Sequence, residues 1–274
     1  MVKLAIISEG KTEIEFIQKI QGIKDIKITG IASPAKENEH LYNTDELLDQ
    51  SEAVYLESLK TPSTETLKSF LRKSTHIFLK EPFISSLSSI RQLGNFQQEA
   101  GSIIQIYNPF FFHSDVLRMK DKLETPLLLD VEVTVKDKSE LEQELLKTLL
   151  FIAGTEKSDF RKLEVFGLQG DKQALINLHF QFVSGSIAQI KLYTQKSNRA
   201  NCRINIYQKE SDPLQLELQT SADLCEKSEQ NALKQFAKAI KTQEGNLITL
   251  TELLQALGAL EEIKEKLKYP NIQI

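Results

Sequence analysis

Apolar and polar positions follow two different periods along this chain, and the period changes near its middle. Over the first hundred or so residues, short apolar runs alternate with segments whose apolar residues recur at helical spacing. Val2 to Ser8 is strand-like, Ile14 to Ile20 helical, and Ile26 to Ala32 (IKITGIA) strand-like again. Asn43-x-x-Glu46 has the form of a capping box opening a short helix. Ala53 to Leu56, Thr75 to Leu79 and Ser102 to Tyr107 read as three further strands, separated by helices over Thr64 to Arg72 and Ser86 to Ala100. Strand and helix repeated in this way predict a Rossmann-like parallel sheet with helices on both faces.

Beyond residue 108 the alternation becomes one of neighbours. In Leu175 to Val183 the residues Ile176, Leu178, Phe180 and Phe182 share one face, while Leu175, Asn177, His179 and Gln181 share the other. With Leu127 to Val135, Ile187 to Tyr193, Cys202 to Tyr207 and Leu214 to Gln219, this predicts a mostly antiparallel sheet with one buried face. Two helices follow, from Ser228 to Lys241 and from about Thr249, where Thr249 and Glu252 again have capping-box spacing. The expected division is a nucleotide-binding type domain over 1–108 and an α+β domain over 109–274, the last helices being able to pack back on the first domain.

Composition narrows the function classes. The 274 residues carry a formal charge of −4 without a long basic run, which argues against nucleic acid as a partner. No apolar run approaches the roughly 18 residues of a membrane span, and no secretory leader precedes the first strand. Cys202 and Cys225 are spaced neither as a metal site nor as a redox pair. A cytoplasmic protein without a bound metal is the expectation.

The candidate chemistry begins at ISEGKTE, where a strand breaks at glycine and restarts as a helix, the usual place for a phosphate. Ser8, Gly10 and Lys11 are candidate cofactor-binding residues there, and Ser33 stands at the end of the second strand, where an acid would hold a ribose diol. The Walker pattern fails because its first glycine falls at Ala5 inside the strand, and G-x-G-x-x-G is reduced to Ser8, Gly10 and Glu13. The same stretch is similar to the first motif of toprim nucleases. Their later acidic pair would be Asp130 and Glu132, 121 residues after Glu9 and outside a compact toprim unit.

DELLDQSEAVYLESLKTPSTETLKSFLRKSTHIFLKEPF, residues 45–83, resembles the middle of the Gfo/Idh/MocA oxidoreductases: a helix, a strand of the form aVyIatP, a helix and then gkHvlvEKP. His76, Phe78 and Pro82 fall in place without a gap, and the run from Glu229 to Leu267 is similar to the family's last helices. The resemblance implies NAD or NADP as cofactor, a sugar or polyol-like substrate, and a homodimer formed through the C-terminal sheet.

The family's functional residues are not retained. Its E-K-P lysine, which acts on the substrate hydroxyl, meets Lys80-Glu81-Pro82, with lysine and glutamate exchanged. Successive side chains of a strand face opposite ways, so Lys80 is expected to point away from the catalytic position and Glu81 to occupy it. The nicotinamide-side T-P turn meets Ser58-Leu59-Lys60, a further cofactor candidate at Ser58. The D-x-x-x-H-x-x-D helix aligns through Gly154 with Glu140, Glu144 and Lys147, without histidine. Lys80, Glu81 and His113 are the catalytic candidates, and Asn108, Glu144 and Lys147 the cleft candidates. Together these point to a divergent, shortened and catalytically impaired relative with weak or absent NAD(P) binding and a small-ligand or partner role. An active oxidoreductase with substituted groups is the alternative, and a toprim-like nuclease a remote one.

Overall fold

The computed structural model describes residues 1–8, 14–32, 44–57, 62–120, 122–169, 174–195, 201–209, 212–219 and 222–268. The chain divides into two compact units, Met1–Asn108 with Lys227–Leu254, and Pro109–Glu226 with Gln255–Ile274.

The first unit is the expected parallel sheet. Strands β1 (Val2–Ile7), β2 (Ile26–Ala32), β3 (Ala53–Leu56), β4 (His76–Leu79) and β5 (Ile104–Ile106) lie in the order β2-β1-β3-β4-β5, every neighbouring pair parallel. Helices α1 (Ile14–Gln21), α2 (Thr44–Asp49), α3 (Thr64–Arg72) and α4 (Leu87–Ala100) make the crossovers. The chain leaves β1 in one direction for β2 and returns on its other side for β3, so the strand order reverses between β1 and β3. Ligands of open α/β sheets bind outside the strand ends at such a reversal.

Local signals account for the helices. Ser63 caps α3 by accepting from the Thr66 amide at 3.1 Å, and Leu67, Phe70 and Leu71 form its buried stripe. Ser86 caps α4 in the same way at 3.2 Å, and Gly101 ends it at φ 61°, a conformation that glycine adopts without steric cost. The Asn43 capping box lies outside the described residues.

The second unit is built on β6 (Leu128–Val135), β7 (Phe160–Gln169), β8 (Ala174–Phe182), β9 (Ile187–Thr194), β10 (Asn201–Tyr207) and β11 (Leu214–Gln219), in the order β11-β10-β6-β9-β8-β7. The β6–β9 pair is parallel and the others are antiparallel. On β8 the buried residues alternate as the sequence predicts, with Ile176, Leu178, Phe180 and Phe182 inside. Helix α5 (Ser114–Lys120) precedes this sheet, and α6 (Leu141–Glu156) packs on β6 and β9. Strand β7 was not anticipated from the pattern. It is an edge strand with Leu163 buried but Phe166 and Leu168 exposed, and its register shifts between Phe160 and Lys162, so it carries no clean alternation.

The last helices are α7 (Ala222–Thr242) and α8 (Leu250–Lys268), each with its residues divided between the units. Glu252 accepts from the Thr249 amide at 2.7 Å, one arm of the expected capping box.

Candidate functional site

The carboxyl ends of β3, β4 and β5 carry a polar cluster, and strand geometry puts it there. Three main-chain bonds continue the ladder past the strand ends: Glu57 N–H to Ile7 C=O at 3.0 Å, Lys80 N–H to Leu56 C=O at 3.1 Å and Tyr107 N–H to Leu79 C=O at 2.8 Å. Tyr55 is in register with Phe78, and Phe78 with Gln105. Side chains two apart share a face, so Glu57, Lys80 and Tyr107 fall on the face that already holds Tyr55, Phe78 and Gln105. Helix α7 covers that face, where the Gln105 side-chain amide donates to the Ala232 carbonyl at 2.9 Å and Phe236 packs edge-on against Phe78 at 5.6 Å.

At the head of this arrangement the Tyr55 hydroxyl donates a hydrogen bond to the Glu229 carboxylate, and the Tyr107 and Ser228 hydroxyls share one of 2.6 Å. The Lys80 ammonium lies 3.7 Å from a Glu57 oxygen and 3.8 Å from a Glu229 oxygen. Lysine and both carboxylates are largely buried, with side chains 28%, 16% and 10% exposed. Burial pushes the Glu229 carboxyl above its ordinary range, opposed by the Lys80 charge and the Tyr55 hydrogen bond and reinforced by Glu57 and Glu81. The Tyr55 phenol is raised well above its ordinary value, first by burial and then by the neighbouring Glu229 charge. The cluster thus offers carboxylate acceptors, a protonatable buried acid and one ammonium, a set suited to hydroxyl and amine groups.

The sequence-level candidates separate into several places. Lys80 belongs to the cluster, while Glu81, on the opposite pleat, is exposed and acts on Glu229 through its charge. Asn108 is fully buried just past β5. Ser8 is buried at the end of β1, and its amide donates to the Ala32 carbonyl at 3.1 Å. Gly10, Lys11, Ser33 and Ser58 lie outside the described residues. His113, Glu144 and Lys147 belong to the second unit. There the His113 Nδ1 accepts from the Asp115 amide at 3.4 Å, and Lys147 pairs with Glu144 at 3.1 Å on α6. Tyr55, Glu57, Tyr107, Ser228 and Glu229 are cluster members that sequence reasoning missed. The tyrosine of AVYL and the period of two from Tyr55 to Glu57 were the available signals, and Glu229 had none.

A pyrophosphate takes backbone amides and positive charge. Among the described residues of this edge, the Ser8 amide is engaged with Ala32 and Lys80 is shared between two carboxylates, so this part of the edge does not fit that group. Asp130 and Glu132 sit on β6, a strand of the second unit's sheet and not of the sheet that holds β1, so the toprim arrangement is not supported. Among the described residues no group of three or more His, Cys, Asp or Glu could hold a metal, and no helix is long and apolar enough to cross a membrane.

No family model matches the chain, and no curated protein does. Solved structures match over almost the whole length. A probable dehydrogenase from Thermotoga maritima superposes with a TM-score of 0.81 at 12% identity, covering 97% of each chain. The UDP-N-acetylglucosamine 3-dehydrogenase GnnA from Acidithiobacillus ferrooxidans gives 0.75 at 13%, covering 96% of this chain and 97% of that one. GenD2 from gentamicin A biosynthesis, solved in complex with NAD, gives 0.74 at 10%, covering 96% and 93%. At these identities the likeness establishes the fold alone: a Rossmann-like parallel sheet and a mixed sheet with helices, as in these solved structures.

Proposed function

We propose that this protein is a divergent member of the Gfo/Idh/MocA-type oxidoreductases that binds a small polar ligand, with hydride-transfer chemistry impaired and NAD(P) binding weak or lost. The observation that carries this is the position of Lys80, whose ammonium lies between Glu57 and Glu229. A lysine held this way is poorly available to a substrate hydroxyl, and the two carboxylates make the strand ends unfavourable for a pyrophosphate. The test is calorimetric titration of NAD⁺, NADH, NADP⁺ and NADPH into the purified protein, followed by a screen of sugars and polyols for binding without cofactor. Ligand binding in the absence of any nicotinamide affinity is the expected result. Micromolar binding of a nicotinamide nucleotide together with turnover of an alcohol would overturn it.

A second reading, an active NAD(P)-dependent oxidoreductase on a sugar or polyol-like substrate, is favoured by one observation. The Glu229 carboxyl is raised by burial and hydrogen-bonded to Tyr55, which gives the site a buried carboxyl that holds its proton more tightly than an exposed one, a group of the kind that proton transfer uses. On that reading Glu229→Gln abolishes turnover while cofactor binding persists.

A further inference from the structure

The ion pairs of the strand-end cluster are long. Lys80 Nζ stands 3.7 Å from Glu57 Oε1 and 3.8 Å from Glu229 Oε1, whereas a charge-assisted N–H···O bond closes to about 2.7–2.9 Å. The charges acting on Glu229 are one ammonium, Lys80, and two further carboxylates, Glu57 and Glu81. Three carboxyl groups against one ammonium leave this end of the sheet short of positive charge.

Glu229 has acceptor capacity to spare. It is 8% exposed, the Tyr55 hydroxyl donates to its Oε1, and its Oε2 accepts no hydrogen bond among the described residues. A carboxylate oxygen withdrawn from water gains from any donor brought to it. Lys80 is the more exposed member of the group, at 28% against 16% for Glu57, and carries its charge on a flexible four-carbon stem. Its head can therefore turn to water while another ammonium takes its place. That exchange replaces like with like, so it asks for no void larger than the one the lysine head leaves.

We propose that Lys80 is the internal occupant of an ammonium site: a small hydroxylated compound with a primary ammonium displaces it and donates to Glu57 and Glu229, and Lys80 swings outward. The inference rests on the reading of this cluster as a small-ligand site and narrows that ligand to a cation. A neutral polyol brings no charge to replace the one it displaces, and an anion is repelled by the carboxylates.

The aminodiol serinol is the probe, with glycerol, which bears a hydroxyl where serinol bears its ammonium, as the neutral counterpart. Each is titrated near neutral pH into the isotopically labelled full chain and followed by NMR. Serinol is expected to saturate, shifting amides at the ends of β3 and β4, with glycerol weaker by about tenfold or more. Lys80→Met removes the internal competitor and should tighten serinol by about tenfold, while Lys80→Arg, which keeps a competing cation, should not. Glu57→Gln and Glu229→Gln should each bring serinol down to the affinity of glycerol. Absence of saturable serinol binding, equal affinity for glycerol, no gain in Lys80→Met, or undiminished serinol binding in both glutamine variants would each overturn the proposal. A neutral polyol that binds in preference to serinol would overturn it and leave the small-ligand reading standing. Nicotinamide binding with alcohol turnover, beside an intact competition between serinol and Lys80, would overturn that reading alone.

Discussion

The Tyr55 hydroxyl donates to the Glu229 carboxylate across 174 residues of sequence, joining the third strand of the parallel sheet to the penultimate helix. Both groups are buried, Tyr55 completely. Tyr55→Phe keeps the ring and its stacking on Phe78 but removes a donor from a buried carboxylate. The expected cost is about 1–3 kcal/mol, read as a shift in urea midpoint without change in the slope of the transition.

The same carboxyl predicts a pH dependence. Glu229 is raised above its ordinary value near 4.5, so the folded chain binds this proton more tightly than the unfolded one. Below about 4.5 both states are protonated and the group's contribution is fully present. As pH rises through the folded value, the unfolded state releases its proton first and that stability is lost. Asp25, Glu65 and Glu164, lowered by their lysine partners, act in the opposite sense. Their contribution is common to both proteins when wild type is compared with Glu229→Gln. The unfolding free energy of wild type relative to that variant should therefore fall with rising pH in this window and then level off. A flat difference would contradict it.

Phe236 is 1% exposed and meets Phe78 edge to face, which makes it the apolar anchor of α7 on the first sheet. Phe236→Ala should destabilise by about 3–5 kcal/mol, measured by chemical denaturation. The more conservative Phe236→Leu should cost much less.

The open face of the second sheet carries Phe166 and Leu168, each 57% exposed, and Leu175, 40% exposed. Leu168 and Leu175 are cross-strand partners, and Phe166 lies two residues from Leu168 on the same face. A homodimer formed through this face would remove that apolar surface from water. Light scattering should give twice the chain mass, and Phe166→Asp with Leu168→Lys should return the monomer. A monomeric wild type would end this expectation.

Much of the secondary structure was legible from local chemistry. The helix over Thr64 to Arg72, the alternation of β8 and the capping-box spacing of Thr249 and Glu252 are short-range properties of the chain. Strand β7 escaped because an edge strand does not have to alternate. The exchange of Lys80 and Glu81 was also readable, and pleat alternation puts the two side chains on opposite faces.

What lies around Lys80 was settled only by tertiary structure. Glu57 and Lys80 end neighbouring strands, whereas Glu229 comes from a helix about 150 residues further on. The amphipathic pattern of α7 says that it buries one face but not against which sheet. That choice is made by the tyrosine hydroxyls, Gln105 and Phe78 meeting complementary groups on the helix. Periodicity is a property of neighbours in sequence and so determined the elements. The site depends on buried polar groups finding partners across the fold, which only the folded chain supplies.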